Sequence, residues 1–169
     1  MLNDLYTPEG ESLTGTPWQV YPRPQLKRNR YVNLNGIWEL EAEGNVIPIL
    51  VPFCPESRLS GIGHHFPEGE DLVYHRRFTL PKGFRKERVL LHFGAVDQIA
   101  DVSLNGVDLG IHVGGYTAFT FDITDVLQEE NVLEMGISDD LCDRSLPYGK
   151  QTLKRGGMWY TPVSGIWQT

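Results

Sequence analysis

The feature that most constrains this chain is an alternation of apolar and polar side chains in short runs, which turn residues interrupt. Trp38, Leu40 and Ala42, for example, alternate with two glutamates. A period of two residues places one face of a strand in a core and the other in solvent. The pattern predicts about seven to nine strands in two packed antiparallel sheets. The runs lie at residues 37–42, 46–51, 72–80, 88–93, 100–104, 107–111, 119–123 and 133–137.

Turn residues indicate how these strands connect. Asn105-Gly106 separates two runs, and this dipeptide tolerates the positive φ angles of a two-residue type I′ turn, so residues 100–111 should form a hairpin. Pro52 cannot donate a ladder hydrogen bond, so pairing of the preceding run should stop there. Helix signals are nearly absent. The one helical turn that we expect covers residues 126–127, after capping residues at 122–125.

The chain divides into two regions by composition. Residues 1–16 mix Gly, Thr, Ser and acidic residues without periodicity, which is typical of a flexible or loosely docked arm. The folded domain, residues 17–169, should begin near Pro17. Alternation disappears between residues 138 and 161, where Gly, Pro, charged and aromatic residues dominate. Loops of that length inside a compact domain are usually either functional or disordered.

Charge and hydropathy exclude several classes of partner. The chain has 169 residues and a formal net charge of −7, which argues against nucleic-acid and anionic-membrane partners. A basic run, Arg23, Lys27, Arg28 and Arg30, is interpreted as a solvated lead-in to the first strand. No stretch approaches the roughly 18 apolar residues of a membrane span, and the N-terminus lacks the pattern of a secretion signal. We therefore expect a cytoplasmic protein.

Metal ligands and disulfides are not expected. Cys54 and Cys142 are too few for a disulfide framework or a Cys-based zinc site, so both are interpreted as free thiols. Side chains of His64-His65 should point to opposite sides of an extended chain. The acidic residues of 139–143 lack the spacing of a calcium loop. No metal and no cofactor are predicted.

Several motifs together resemble the N-terminal sugar-binding domain of family 2 glycoside hydrolases, the β-galactosidase and β-glucuronidase family. The similarity covers residues 17–169 and implies a jelly-roll-like β-sandwich of the galactose-binding-domain type. It also implies a chain cut off before the immunoglobulin-like and (β/α)₈ catalytic domains of the family. The motifs are Leu34-Asn35-Gly36-Ile37-Trp38, Val51-Pro52-Phe53, His92-Phe93-Gly94-Ala95-Val96-Asp97, Gly114-Gly115-Tyr116, Gly149-Lys150-Gln151 and the C-terminal run from Gly156 to Thr169.

Catalysis by this chain alone is not expected. Glycoside hydrolysis normally requires two carboxyl groups that flank the scissile bond. The resemblance implies that both are glutamates of the downstream barrel, in a parent that is a retaining, β-galactosidase-like glycosidase. Glu56 is interpreted as a residue of turn or interdomain hydrogen bonding, and Asp97 and Asp101 as strand residues with structural bonds or a solvent-exposed face. Some members contact the sugar with an Asp before a Met-Trp pair, a position that is Gly157 here.

Aromatic residues are the candidates for substrate contact, because a pyranose ring stacks its apolar face on an indole or phenol. Trp159 and Tyr160, with Arg155 beside them and Tyr116 in the Gly-Gly-Tyr loop, form the predicted group. The alternative, which we favour, is that the same aromatics pack on the neighbouring domain. Two further tryptophans, Trp38 and Trp167, are assigned mainly to the core.

The resemblance predicts a non-catalytic domain that supports the catalytic barrel of a β-galactosidase-like parent and has sugar contact as a further role. Its partners would be the downstream catalytic domain of the same chain and a β-galactoside-type carbohydrate, in a parent that can be homo-oligomeric. A stand-alone carbohydrate-binding module or lectin is the alternative from a different class, since jelly rolls serve both roles. A small self-sufficient hydrolase is the third.

Overall fold

A computed structural model describes residues 6–20, 28–67, 69–140, 145–154 and 156–169. These residues form one short helix, a single 3₁₀ turn at Arg58–Ser60 and ten strands. Within these ranges no helix has the length and apolar character needed to cross a bilayer. The elements are α1 (Pro8–Ser12), β1 (Gly36–Ala42), β2 (Asn45–Val51), β3 (Leu72–Thr79), β4 (Leu90–Phe93), β5 (Val96–Asp97), β6 (Ile99–Leu104), β7 (Val107–Val113), β8 (Phe119–Asp122), β9 (Glu130–Ser138) and β10 (Gly165–Ile166).

Six strands form one antiparallel sheet in the order β2-β1-β3-β9-β6-β7. The side chains of β1 alternate strictly between buried and exposed, and those of β9 alternate along its whole length. This period is the one that the sequence predicts. Leu40 and Leu133 are fully buried on the inner face of the sheet.

The remaining strands form two pairs, β4 with β8 and β5 with β10, both antiparallel. Buried side chains of these pairs, including Leu91, Phe93, Val96 and Ile166, belong to the same apolar core as the inner face of the six-stranded sheet. The prediction of an all-β fold with antiparallel sheets is confirmed.

The predicted hairpin joins β6 to β7. Asn105 and Gly106 have φ angles of 55° and 78°, as a type I′ turn requires. The Asn105 amide group also reaches out of the turn: its nitrogen donates to Val126 O at 2.8 Å and to Asn131 Oδ1 at 3.0 Å. Its oxygen accepts from Val132 N at 2.8 Å. The turn residue therefore holds the β8–β9 connection as well.

The helical turn expected at residues 126–127 is wrong. The chain makes a tight turn instead, in which Val126 N donates to Ile123 O at 3.2 Å and Thr124 N to Asp122 Oδ1 at 3.1 Å. The capping residues are therefore used, but no helix follows. A physical reason is that the Val126 carbonyl accepts from the Asn105 side chain, where a continuing helix would use it internally.

Helix α1 lies in the region that the sequence predicts to be an arm. Thr7 caps it, because its hydroxyl oxygen accepts from Gly10 N at 3.0 Å, and Pro8 occupies a favoured first position. The helix buries none of its residues. The expectation of a flexible or loosely docked arm stays a prediction, whereas the helix itself was not predicted.

Candidate functional site

The segment from residue 145 to the C-terminus returns across one end of the sandwich. Two backbone hydrogen bonds order it: Tyr160 N donates to Lys150 O at 2.9 Å, and Thr152 N donates to Tyr160 O at 3.0 Å. The segment then enters β10, where Gly165 pairs with Asp97 of β5. This arrangement sets the aromatic residues of the segment beside the sandwich.

The side chain of Gln151 lies at the centre of this arrangement. Its amide nitrogen donates to Tyr148 O at 2.8 Å and to Asp97 Oδ2 at 3.3 Å. Its amide oxygen accepts from Val163 N at 2.6 Å. One side chain therefore connects both arms of the segment to β5, and this role was not predicted.

Asp97 is buried beneath the segment, with 3% of its surface exposed. Its Oδ1 has no hydrogen-bond partner among the described residues and lies against Gly115, where an added Cβ would come within 2.2 Å of it. Burial raises the pKa of Asp97 to about 6; the hydrogen bond from Gln151 opposes this shift and the charge of Glu56 adds to it. The structural hydrogen bond that we expected is present.

Glu56 fixes the start of β10. Its two carboxylate oxygens accept from Ser164 Oγ at 2.8 Å and Ser164 N at 3.2 Å, and its side chain is almost fully buried. The hydrogen bonds that we expected of Glu56 are therefore made to a residue of this domain. Nearby, burial and then the Glu56 charge raise the pKa of the Cys54 thiol to about 12, which keeps that thiol protonated at neutral pH.

A close approach of backbone to ring holds β10 against the large sheet. Gly165 has a φ of 81°, and a Cβ there would lie 2.2 Å from the hydroxyl oxygen of Tyr74. Tyr74 is fully buried, and burial, followed by the charge of Glu56, raises its pKa far above the usual range. Only glycine fits this position without a shift of either element.

Three exposed aromatic residues define what we call the aromatic surface: Tyr116, Trp159 and Tyr160. Their exposed fractions are 48%, 45% and 68%. Tyr160 is bonded through its backbone to both neighbours of Gln151, and the Tyr116 hydroxyl lies within 2.8 Å of where a Cβ of Gly149 would be. Tyr116 and Tyr160 therefore both lie close to the 149–152 stretch, and Trp159 precedes Tyr160 in the chain.

Trp167 corrects the assignment of this residue to the core. Its side chain is only half-buried, its indole N–H donates to Gly115 O at 2.8 Å, and its ring packs edge-on against Tyr116 at 6.1 Å. It therefore supports the aromatic surface from below. Trp38 is buried in the core, as predicted.

The other predicted positions are more dispersed. Arg155, Cys142 and Asp143 lie outside the described residues. In the described part of the chain, no group of three or more His, Cys, Asp or Glu residues is placed to hold a metal ion. His64 and His65 approach different carboxylates, at 3.8 Å and 3.7 Å, as adjacent residues of an extended chain do.

Comparison with known proteins identifies the type of domain. Residues 63–146 match the family described as "Glycosyl hydrolase 2 galactose-binding domain-like". This chain carries that domain. A β-glucuronidase of Formosa agariphila is 39% identical over 89 residues, which are 48% of this chain and 9% of that protein. A β-galactosidase of Thermoanaerobacter pseudethanolicus is 36% identical over 72 residues, which are 40% of this chain and 10% of that protein.

The solved structure of a β-glucuronidase from an uncultured Clostridium species has the same fold. It superposes on this glycosyl hydrolase 2 domain with a TM-score of 0.56 and 25% identity, over 79% of this chain and 26% of that one. The domain therefore spans only about a tenth of the curated relatives reported above and about a quarter of this solved structure. It corresponds to an N-terminal domain of β-glucuronidase- and β-galactosidase-like glycoside hydrolases.

Proposed function

We propose that this domain is a non-catalytic part of a longer glycoside hydrolase, and that its aromatic surface packs against the catalytic domain of the same parent. The observation that carries the proposal is the position of the three exposed rings. Trp159 and Tyr160 lie on a segment that Gln151 and Glu56 hold in place, and Tyr116 lies in the loop between β7 and β8. Exposed aromatic side chains held in this way are typical of a surface that contacts another domain.

The carboxylates near the surface support the non-catalytic part of the proposal. A glycosidase acid and its partner carboxylate must both face the scissile bond. Asp97 is buried against Gly115, and Glu56 directs both its oxygens to Ser164. Neither carboxyl group is open to a sugar in this arrangement.

The parent, in this proposal, is a retaining β-glycosidase that acts on β-galactosides. The curated relatives include a β-galactosidase and β-glucuronidases, so these two substrate classes are the ones to compare. Measuring the rates at which the parent hydrolyses a chromogenic β-galactoside and a chromogenic β-glucuronide distinguishes them. A parent that hydrolyses only the glucuronide would contradict the galactoside part of the proposal.

Two measurements test the domain's role. The 169-residue chain alone should not hydrolyse either chromogenic substrate, and turnover that one Asp or Glu substitution abolishes would refute the non-catalytic role. In the parent, Tyr160→Ser should lower the melting temperature, because a packed ring is lost, whereas in the isolated chain it should have no effect. Ile111→Ser is the matched control, because Ile111 on β7 is similarly exposed. It should leave the melting temperatures of the parent and of the isolated chain unchanged.

A carbohydrate-binding module is the second candidate, and the exposure of Tyr160 favours it. Rings that are open to solvent can stack on a pyranose, while neighbouring polar groups bind its hydroxyls. Titration of the isolated chain with galactose, glucuronic acid and β-linked oligosaccharides tests it. Binding tighter than about 1 mM that Trp159→Ala abolishes would favour this candidate over interdomain packing.

A further inference from the structure

A basic surface lies away from the aromatic surface, and two distant segments build it. Arg30 Nη1 donates to Gly83 O at 2.7 Å and to Phe84 O at 3.1 Å, across more than fifty residues of sequence. This contact brings the end of the N-terminal basic run to the loop between β3 and β4. We define the basic surface as Arg28, Arg30, Lys82, Arg85, Lys86 and Arg88, all of which are exposed.

The loop that carries most of these charges is anchored. Phe84 N donates to Pro81 O at 2.9 Å, which closes a turn, and the half-buried Phe84 ring packs on the core. The neighbouring cationic side chains extend into solvent from this fixed point. Because the backbone is already ordered, a ligand does not have to order the loop in order to bind it.

The charges of the basic surface are only partly neutralised. Arg88 pairs with Asp122 at 2.8 Å, Glu87 lies in the same loop, and the exposed Glu130 is opposite Thr79 where that loop begins. Within the described residues, Lys82 and Lys86 have no acidic partner. The surface holds six of the chain's 15 Lys and Arg residues, although the chain as a whole has a net charge of −7. Positive charge is therefore concentrated in one place.

The two surfaces lie at opposite ends of the β3–β9 pair. At one end, Leu72 and Ile137 line a shallow groove together with Ser164, next to the segment that bears the aromatic surface. At the other end, Thr79 pairs with Glu130 and the chain continues directly into the basic loop. The eight residues of β3 separate these ends by about 23 Å at 3.3 Å per residue. The aromatic surface and the basic surface are therefore two separate places on the domain.

The character of the basic surface favours a hydrophilic partner with widely spaced negative charges. Duplex DNA carries one charge per roughly 1.7 Å and extends well beyond six cations, so the acidic remainder of the chain would repel it. Insertion into a membrane would require an exposed apolar side chain in the loop, and Phe84, the loop's aromatic residue, packs inward. Lys and Arg side chains pair well with isolated carboxylates or sulfates.

We propose that the basic surface binds a carbohydrate chain that carries anionic groups, either carboxylates or sulfates. This inference rests on the proposed function for the choice of carbohydrate, and on the charges for the anionic groups. The surface would hold a charged polysaccharide on the parent enzyme, at a site separate from the aromatic surface.

Binding of the 169-residue chain to immobilised polysaccharides tests the proposal. Polygalacturonate supplies carboxylates, dextran sulfate supplies sulfates, and dextran is the neutral reference. We expect binding to at least one anionic polymer, weakened when salt rises from about 50 to about 200 mM, and none to dextran. The polymer that binds more tightly identifies the anionic group. Equal binding to dextran, or no binding to any polymer, would overturn the proposal.

A matched pair of variants locates the site. Lys82→Glu/Lys86→Glu should weaken binding at least about ten-fold, whereas Lys150→Glu/Lys154→Glu, with the same change in net charge on the aromatic side, should weaken it less than about two-fold. Lys82→Arg/Lys86→Arg should retain binding. Equal losses in the two reversals would refute the assigned position. Tighter binding to a DNA duplex or to phosphatidylserine vesicles than to either polysaccharide would refute the assigned partner. Tyr160→Ser should leave this binding intact, so the two proposals fail separately.

Discussion

The six-stranded sheet and the C-terminal segment, residues 145–169, are stabilised by different kinds of interaction. In the sheet, regular backbone pairing and an inner face of fully buried aliphatic side chains act together. The segment is held by single side-chain hydrogen bonds: its Gln151 donates to Asp97 of β5, and its Ser164 donates to Glu56. The sheet distributes its stability over many residues, whereas the segment concentrates it in a few.

The segment should therefore be able to detach or shift while the sheet stays folded. Loss of one contact in the sheet should destabilise the whole domain, because β9 pairs with both β3 and β6. Loss of one contact in the segment should release the segment and leave the sandwich folded. Four variants, in order of expected effect, test this distinction.

The largest effect is expected in the sheet, for Leu133→Ala. Leu133 has no exposed surface on β9, so its truncation leaves a cavity and should lower the free energy of unfolding by about 2–5 kcal/mol. Urea denaturation followed by tryptophan fluorescence measures the loss. Val46→Ala is the control, because Val46 is 62% exposed on β2 and should cost no more than about 0.5 kcal/mol. Comparable losses in the two variants would show that the sheet is not the stabilising unit.

The second variant, Asp97→Asn, tests the segment through pH. Because the pKa of Asp97 is raised from 3.8 to about 6 on folding, the folded state binds the proton more tightly than the unfolded state. The free energy of unfolding should therefore fall as pH rises through that interval, by about 3 kcal/mol, and level off above it.

Asp97→Asn cannot ionise and should lose this slope between pH 4 and pH 6. Denaturation of both proteins across that range is the measurement. Asp101→Asn, on the exposed side of β6, is the matched control and should keep the slope of the unmodified chain. A slope that persists in Asp97→Asn would assign the titration to another group.

The third variant, Gly165→Ala, tests the contact between the two regions. The added Cβ would approach the Tyr74 hydroxyl to 2.2 Å at a positive φ, so we expect a loss of about 2 kcal/mol from displacement of β10. Tyr74→Phe alone should be nearly neutral, because that hydroxyl has no hydrogen-bond partner among the described residues. The double variant should recover part of the loss. Strict additivity in this cycle would show that the two residues do not interact.

The smallest and most local effect is expected for Gln151→Ala. It removes the bonds to Tyr148, Asp97 and Val163 and should destabilise the segment by about 1 kcal/mol in total without unfolding the sheet, because water can reach this half-buried position and replace the lost partners. Hydrogen exchange should become faster at the Val163 amide and stay unchanged in β9. Gln168→Ala, an exposed glutamine of the same segment, is the control. Faster exchange in β9 would mean that the segment and the sheet unfold together.

Periodic features explain why most of the sheet could be predicted. Alternation located β1, β3 and β9, and Asn105-Gly106 located a hairpin, since both signals lie within a few adjacent residues. The prediction of a helical turn after β8 was wrong because of a contact from outside that stretch. The Asn105 side chain, 21 residues away in the sequence, donates a hydrogen bond to the Val126 carbonyl. Local signals cannot report a competitor of that kind.

The candidate site was predictable only in outline. An aromatic-rich stretch without strand periodicity indicated the aromatic surface. Gln151, in contrast, acts through single hydrogen bonds to Asp97 and Val163, which lie 54 and 12 positions away. No pattern of residue spacing in the sequence predicts such bonds of a part-buried amide. Trp167 was assigned mainly to the core, whereas its indole nitrogen requires an acceptor, which Gly115 supplies nearer the surface.

The Asn105 side chain has a consequence for anyone who wishes to insert a tag or a fused module into this domain. Hairpin tips usually accept insertions, yet the tip at Asn105 also fastens the β8–β9 connection through Val126 and Asn131. At the β1–β2 tip, Glu43 N donates an exposed hydrogen bond to the Glu70 carboxylate at 2.5 Å, and Gly44 itself has nothing within 4 Å of where a Cβ would stand. Gly44 is therefore the better position for an insertion. Replacing Asn105-Gly106 by another turn-forming pair could preserve the turn, but it would remove the hydrogen bonds that hold the β8–β9 connection.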